Sequence, residues 1–513
     1  MKPERVMRGR WRFAGIAVLA SAALMLSACS SPATEGGNTG GDRGGQVIVA
    51  NAEPPTAAYW DPAASFGLVD EQVASLVFDT LLSMDAEGNI GPNLATEWEW
   101  VSDTEMKLTL RTDAKFHDGT PVTADDVVAS LNRLMQPGSE TLAKAILLTS
   151  GEASAEGDVV TIRTDQPFGP LENSLAAVSI LSKADIDSPD NFKKGANGSG
   201  PYKFVSYAND DITLEANADY WGGAPKNDGV VLRYIADADA RQNALLAGQI
   251  DITTRTGPNY VNAVKDNADI TVESVSPPSQ IVMIYQHNGA LADLKIREAL
   301  AYAIDREGIA ASIMHGVNKV GFNAIPTTLA SYQEASNKFE FDPEKAKSLL
   351  AEAGKSEGLT LTMATSTLVP GQLEIDQAIA QNLKDIGIDV EVTQLEVGEF
   401  RTSYPQYDLS MNTLASFNND PSFILATFTG ATGQAVFNLA DPKVDELVAT
   451  QNATVGEARN PAINAAATYM WDNQLTLWLS DETWTTLVNN RVTGYERNPL
   501  VGEPLLRNVS VAK

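Results

Sequence analysis

One cysteine, three histidines and a shortage of cations are what the 513-residue chain has least of. A single thiol excludes an internal disulfide, so the fold must rest on its packed core. His117, His287 and His315, with the one cysteine committed elsewhere, do not make a structural zinc site. Thirty-seven Lys and Arg stand against 66 Asp and Glu, for a formal charge of −29. Such a surface repels nucleic acid and anionic headgroups, so no nucleic-acid partner is expected. No later segment is apolar for long enough to span a bilayer, which needs about 20 residues. Catalytic patterns are scarce too. No Gly-x-Ser-x-Gly elbow occurs. Gly354-Lys355-Ser356 lacks the glycine a phosphate loop needs five residues earlier, where Leu349 stands, so Gly354 reads as a helix stop. Asp85 to Asn89 lacks the full spacing of a calcium loop and reads as a turn. The expectation is a binder that is no enzyme and uses no cofactor or metal. The alternative is a secreted lipoprotein hydrolase working through paired carboxylates, since acids are abundant.

What is present begins with the N-terminus. Lys2, Arg5, Arg8, Arg10 and Arg12 precede an apolar run from Phe13 to Leu26, and small residues follow. That order is a secretory signal over residues 1–28, too short to span a membrane. Leu26-Ser27-Ala28-Cys29 resembles the bacterial lipobox, whose cysteine is acylated, with palmitate among the acids, and becomes the mature N-terminus. Lipid at Cys29 then holds the chain outside the cytoplasm, periplasmic or cell-surface. Removing residues 1–28 takes away five cations and one acid, moving the charge from −29 to −33. Six glycines and no large apolar side chain between residues 30 and 46 describe a flexible tether, 29–46. Order should begin at Val47.

From there strands and helices alternate. Met106 to Leu110 reads as a half-buried strand, and Thr123 caps a helix carrying Val127, Leu131 and Leu134. Asp293 and Asp342 cap two more, with Pro343 at the first turn of the second. Strand–helix–strand order recurs at 230–252 and 359–392, and Ile281 to Tyr285 is a buried strand. Gly198-Ser199-Gly200-Pro201-Tyr202 reads as a turn into a strand.

Several motifs stand in a telling order. Asn93 to Glu99 precedes a strand, and then comes Phe116-His117-Asp118-Gly119-Thr120-Pro121 ahead of Ala124-Asp125-Asp126-Val127. Gly198 to Tyr202, Asn217-Ala218-Asp219-Tyr220-Trp221, Leu245 to Asp251, and Ile296 to Arg306 follow. Together they resemble the extracellular solute-binding proteins of family 5, which serve peptide, nickel and related ABC importers. The resemblance implies an α/β, two-lobe periplasmic-binding-protein-like (class II) fold with an extra subdomain on the first lobe. Lobe I would take residues 47–84, 198–284 and 484–513, the subdomain 85–197 and lobe II 285–483. Strands would cross between lobes at Ile284, Tyr285 and Gln286 and again around Ser480 and Asp481, which would form the hinge. A monomer delivering a peptide or other small polar solute to a permease and its ATPase is the implied role.

The resemblance also implies contact residues. Peptide binders of the family place an aspartate three residues before an acid–proline pair, where it receives the amino terminus. Here the pair is Asp420-Pro421 and the position before it is Phe417. A ring attracts an ammonium by about 0.5–2 kcal/mol, less than a buried unpaired charge costs. Either Asp420 takes that part from a shifted position, or the ligand has no free amine; Asp420-Pro421 also reads as a helix start. Phe417, Asn418 and Asn419 are the contact segment, the asparagines suiting a neutral polar ligand. Tyr59 and Trp60 either stack on the ligand or pack the base of lobe I.

Overall fold

The computed structural model describes residues 44–55, 60–64, 68–85, 87–135, 149–195, 197–366, 369, 371–497 and 504–512. The signal segment, Cys29, residues 29–43 of the tether and Tyr59 lie outside them. Among the described residues no helix is long and apolar enough to cross a membrane.

Two large sheets and a smaller one organise the chain. The first has seven strands, in the order Ile270–Val275, Trp484–Asn489, Ile252–Thr253, Gly44–Asn51, Asn227–Tyr234, Asp211–Ala216 and Tyr202–Ala208. Val47 and Val49 are fully buried on one face of Gly44–Asn51 and set its register. The ladder runs on to Gly44 opposite Asn227, so residues 44–46, expected in the tether, belong to the sheet. Backbone pairing needs no side chain, which is why a glycine-rich stretch still forms strand there.

The second sheet has five strands, in the order Ile388–Gln394, Leu359–Thr365, Leu409–Ala415, Ser279–Tyr285 and Leu477–Asp481. Every side chain of Ser279–Tyr285 is buried, as a strand covered on both faces requires. A four-stranded antiparallel sheet, Ala95–Ser102, Glu105–Leu110, Val159–Thr164 and Gly151–Glu156, forms the subdomain with helix Ala124–Met135. The architecture is therefore α/β with two lobes and a subdomain attached to the first.

The chain passes between the large sheets twice, at residues 276–278 and 482–483. The first passage falls earlier than expected. Ile284 and Tyr285 pair with Ser410 and Leu409 at the far end of their strand, and Gln286 donates through Nε2 to the Val436 carbonyl. Pro277 and Pro278 lack backbone donors, so the ladder breaks at them, and the apolar run beyond is spent on a central strand. Ser480 and Asp481 end the strand just before the second passage. The two passages hold each other: the Glu482 N–H donates to the Ser279 carbonyl (2.9 Å), and Ser279 Oγ to Glu482 Oε2 (2.8 Å).

Local signals account for several termini. Thr123 N–H and Oγ1 both donate to Asp126 Oδ2, at 2.9 and 2.6 Å. Asp293 and Asp342 accept from the N–H groups of Lys295 and Lys345. Gly354, at φ +71°, ends helix Pro343–Glu352, with Gly354 N–H bonded to Ala351 O and Lys355 N–H to Leu350 O. That is the Schellman arrangement, so the glycine before Lys355-Ser356 stops a helix.

The motif residues meet at one joint. The buried Asp79 carboxylate accepts from Ser199 Oγ (2.9 Å), Tyr220 Oη (2.8 Å) and Trp221 Nε1 (2.9 Å). The Arg111 guanidinium lies 3.4 Å above the Trp221 ring. Burial pushes the Asp79 carboxyl up, and the three donors oppose it. This knot ties the seven-stranded sheet to the subdomain.

Candidate functional site

The segment from Ser416 to Asp420 leaves the C-terminal end of strand Leu409–Ala415 and runs against the subdomain. Leaving a sheet at a carboxyl edge, where strands give way to loops, is where α/β folds expose binding groups. Phe417 is half-buried against the subdomain core and lies 5.4 Å from Phe423, ring centre to ring centre. Asn418 is fully buried: its Oδ1 accepts from Ser416 Oγ, and its backbone carbonyl accepts from Asn173 Nδ2 of the subdomain at 3.1 Å. Its Nδ2 is buried with no partner in the protein. Asn419 sits at φ +54°, the left-handed region that asparagine tolerates, with its amide beside Gly88 of the subdomain turn.

Asp420 has a different task. Its two oxygens accept from Arg459 Nη1 and Nη2 at 2.5 and 2.7 Å, and Oδ1 also accepts the Ser422 N–H at 2.8 Å. Both members of the pair are buried. Arg459 is further bonded to Gln451 through its side chain and its carbonyl. The Asp420 carboxylate thus begins helix Ser422–Ala426 and neutralises a buried guanidinium, with its lone pairs engaged. Arg459 and Asn173 were not foreseen. Arg459 carries one available signal: a cation in the first turn of helix Arg459–Asp472, where the helix dipole disfavours it, calls for a nearby acid.

Trp60 belongs to the core of the first lobe. It is 6% exposed, and its ring centre lies 4.0 Å from that of Phe204. Trp60 packs with the first lobe's core and Phe417 with the subdomain's. Phe417 also borders a cavity of about 330 Å³ between the first lobe and the subdomain, whose wall includes Met84, Asn93, Arg133, Leu134 and Val178. Arg133 is held there by a bidentate pair with Asp61, at 2.8 and 2.6 Å. The cavity wall mixes apolar surface with a few fixed polar groups, the usual make-up of a small-molecule site.

The titratable groups elsewhere serve structure. His117 Nε2 faces the Gly200 carbonyl and His287 Nε2 the Leu475 carbonyl, so each ring donates from that nitrogen. Burial pushes both down to about 4, which keeps them neutral. Asp481, the proposed hinge acid, accepts through Oδ2 from Thr327 N–H (3.0 Å) and Oγ1 (2.5 Å), and burial raises its carboxyl. Asp376, fully buried on helix Gln372–Asp385, is raised by burial to about 7. Thr365 and Gln372 oppose the shift without forming close hydrogen bonds to it. Among the described residues no three His, Cys, Asp or Glu side chains gather to hold a metal ion.

Comparison with known proteins places these features. Residues 89–435 match the sequence model described as bacterial extracellular solute-binding proteins, family 5 Middle. Heme-binding protein A of Haemophilus influenzae is 26% identical over 534 residues, spanning 94% of this chain and 96% of its own. The probable di/tripeptide-binding protein 5 of Pseudomonas aeruginosa is 26% identical over 466 residues, spanning 83% of this chain and 88% of its own. Among solved structures, the ABC transporter substrate binding protein CtaP from Listeria monocytogenes superposes with a TM-score of 0.83 at 21% identity, covering 92% of this chain and 100% of its own.

Proposed function

The chain belongs to the bacterial extracellular solute-binding proteins of family 5, and from that premise we propose that it captures a small polar solute, in the first place a peptide, and delivers it unaltered to an ABC importer. The two lobes close on the solute by flexing at 276–278 and 482–483, and the closed form is what the permease and its ATPase read. Lipid at Cys29 keeps the monomer beside them at high effective concentration. The solute lies where the 416–420 segment meets the first lobe and subdomain. No bond is made or broken, so no nucleophile or acid–base pair is needed.

One observation carries the choice of ligand chemistry. The segment presents an unpartnered buried donor, Asn418 Nδ2, while its one carboxylate is bound to Arg459 and Ser422. A buried donor left unpaired costs about 1–3 kcal/mol, which a ligand carbonyl at that point recovers. The segment therefore suits an amide or carbonyl of the solute, and the solute's amine, if it has one, meets no buried counter-charge and stays solvated. Binding should be measured with free and N-acetylated di- and tripeptides by native mass spectrometry. Acetylation is expected to change affinity by less than about threefold, against the loss of a hundredfold or more that removing a paired buried charge brings, at about 3–5 kcal/mol. A hundredfold loss on acetylation would restore the amine clamp, and recovery of cleaved peptide would establish a hydrolase.

A further inference from the structure

The contact between subdomain and second lobe is built from protein groups whose fit leaves no slack. Gly169 donates its N–H to the Asn452 carbonyl at 2.7 Å. A Cβ on Gly169 would stand 2.2 Å from the Thr454 carbonyl oxygen and 2.6 Å from Arg459 Cδ. Close approach, with no left-handed backbone involved, is what excludes a side chain there. Four residues on, Asn173 Nδ2 reaches the Asn418 carbonyl, and Phe417 and Phe423 lie against the subdomain core. Arg459 stands behind all of this: it packs under Gly169 and fixes Asp420, the end of the contact segment.

We propose that Arg459 is a positioning residue for solute capture, and that segment 168–173 docks on the Arg459–Asp420 unit as a latch that favours the closed arrangement of the lobes. This rests on the closure proposed above and adds to it a part of the closing energy that comes from outside the solute. A solute binding to a protein already biased toward closure loses less affinity to the conformational change.

Hydrogen exchange read by mass spectrometry on the full, detergent-purified chain tests it. Asn173→Ala should speed exchange in 168–173 and 416–420 about fivefold, the factor of one net hydrogen bond, and Gly169→Ala, whose Cβ would press on the Thr454 carbonyl, by at least as much, while 279–285 stays unchanged. Arg459→Gln should speed exchange in 168–173 likewise and weaken peptide binding by a similar factor, and Arg459→Lys should recover part of both; faster exchange with unchanged peptide binding would make Arg459 a local structural residue and overturn its positioning role. If Gly169→Ala does not fold, Asn173→Ala decides. Unchanged exchange in a folded Asn173→Ala protein overturns the latch. If peptides still protect residues 276–278 and 482–483 in that case, closure stands and only the latch falls; if the peptides that bind protect neither passage, the closure reading itself falls.

Discussion

A carboxyl buried with no cation beside it keeps its proton, and Asp376 is so placed, at about 7. The unfolded chain gives up that proton near 3.8, the ordinary value for aspartate. Between those limits the folded form holds a proton the unfolded form has lost. Stability from this group is therefore complete below about 4 and drains away as pH rises through 7, at about 1.4 kcal/mol per unit and roughly 4 kcal/mol in all. Asp376→Asn has no proton to lose. Its melting temperature should gain on the wild type steadily from pH 4 to pH 7 and hold level above that, since the other titrating groups are common to both proteins. Parallel curves would show that Asp376 is ionised in the fold. The Asp420–Arg459 pair makes the opposite case, a buried charge that is fully met. Asp420→Ala strands the guanidinium and should cost about 3–5 kcal/mol by urea denaturation; adding Arg459→Met should return most of it. Neither environment was legible in the chain. Asp376 looks like any helix acid, and Asp420 was readable as an acid before proline but not as the partner of an arginine 39 residues away.

At the scale of elements, much was readable because the signals are local. Thr123, Asp293, Asp342 and Gly354 mark helix ends through bonds within a few residues, and the structure makes those bonds. The first passage between sheets was misplaced for the converse reason. An apolar run says that a strand is buried but not which sheet it joins, and pairing with Leu409–Ala415 is decided over a hundred residues away. The Gly198 to Tyr202 and Asp219 to Trp221 motifs were recognisable by residue order, yet their meeting at Asp79 appears only in three dimensions. This joint yields a sharp expectation. A Cβ on Gly198 would lie 1.8 Å from the Val77 carbonyl oxygen, a backbone atom that cannot swing aside. Gly198→Ala should therefore lose about 3 kcal/mol or more in urea denaturation, in the range reserved for overpacked cores. A loss below 1 kcal/mol would mean that the turn and helix Leu68–Val77 separate freely.

For the whole molecule, the proposed lipid anchor has to hold an acidic chain at a membrane. At the −33 expected after removal of residues 1–28, the protein would be repelled by anionic headgroups, so electrostatic adhesion would work against attachment. No described helix crosses a bilayer. The proposed reading assigns attachment to covalent lipid at Cys29; one acyl chain alone gives only marginal binding, so a stable anchor there needs more than one chain. Attachment by buried hydrocarbon is indifferent to ionic strength, whereas a charge-held protein is released as salt screens its contacts. Washing membranes with 1 M salt should leave the wild type in the pellet. Cys29→Ser should abolish palmitate incorporation, since the chain has no other cysteine, and move the protein to the soluble fraction. Its peptide affinity should match the wild type's within about twofold, because the described fold begins at Gly44 and its site is formed by residues beyond that point. Release of the wild type by salt, or persistence of Cys29→Ser in the pellet, would place the attachment in the folded part of the chain.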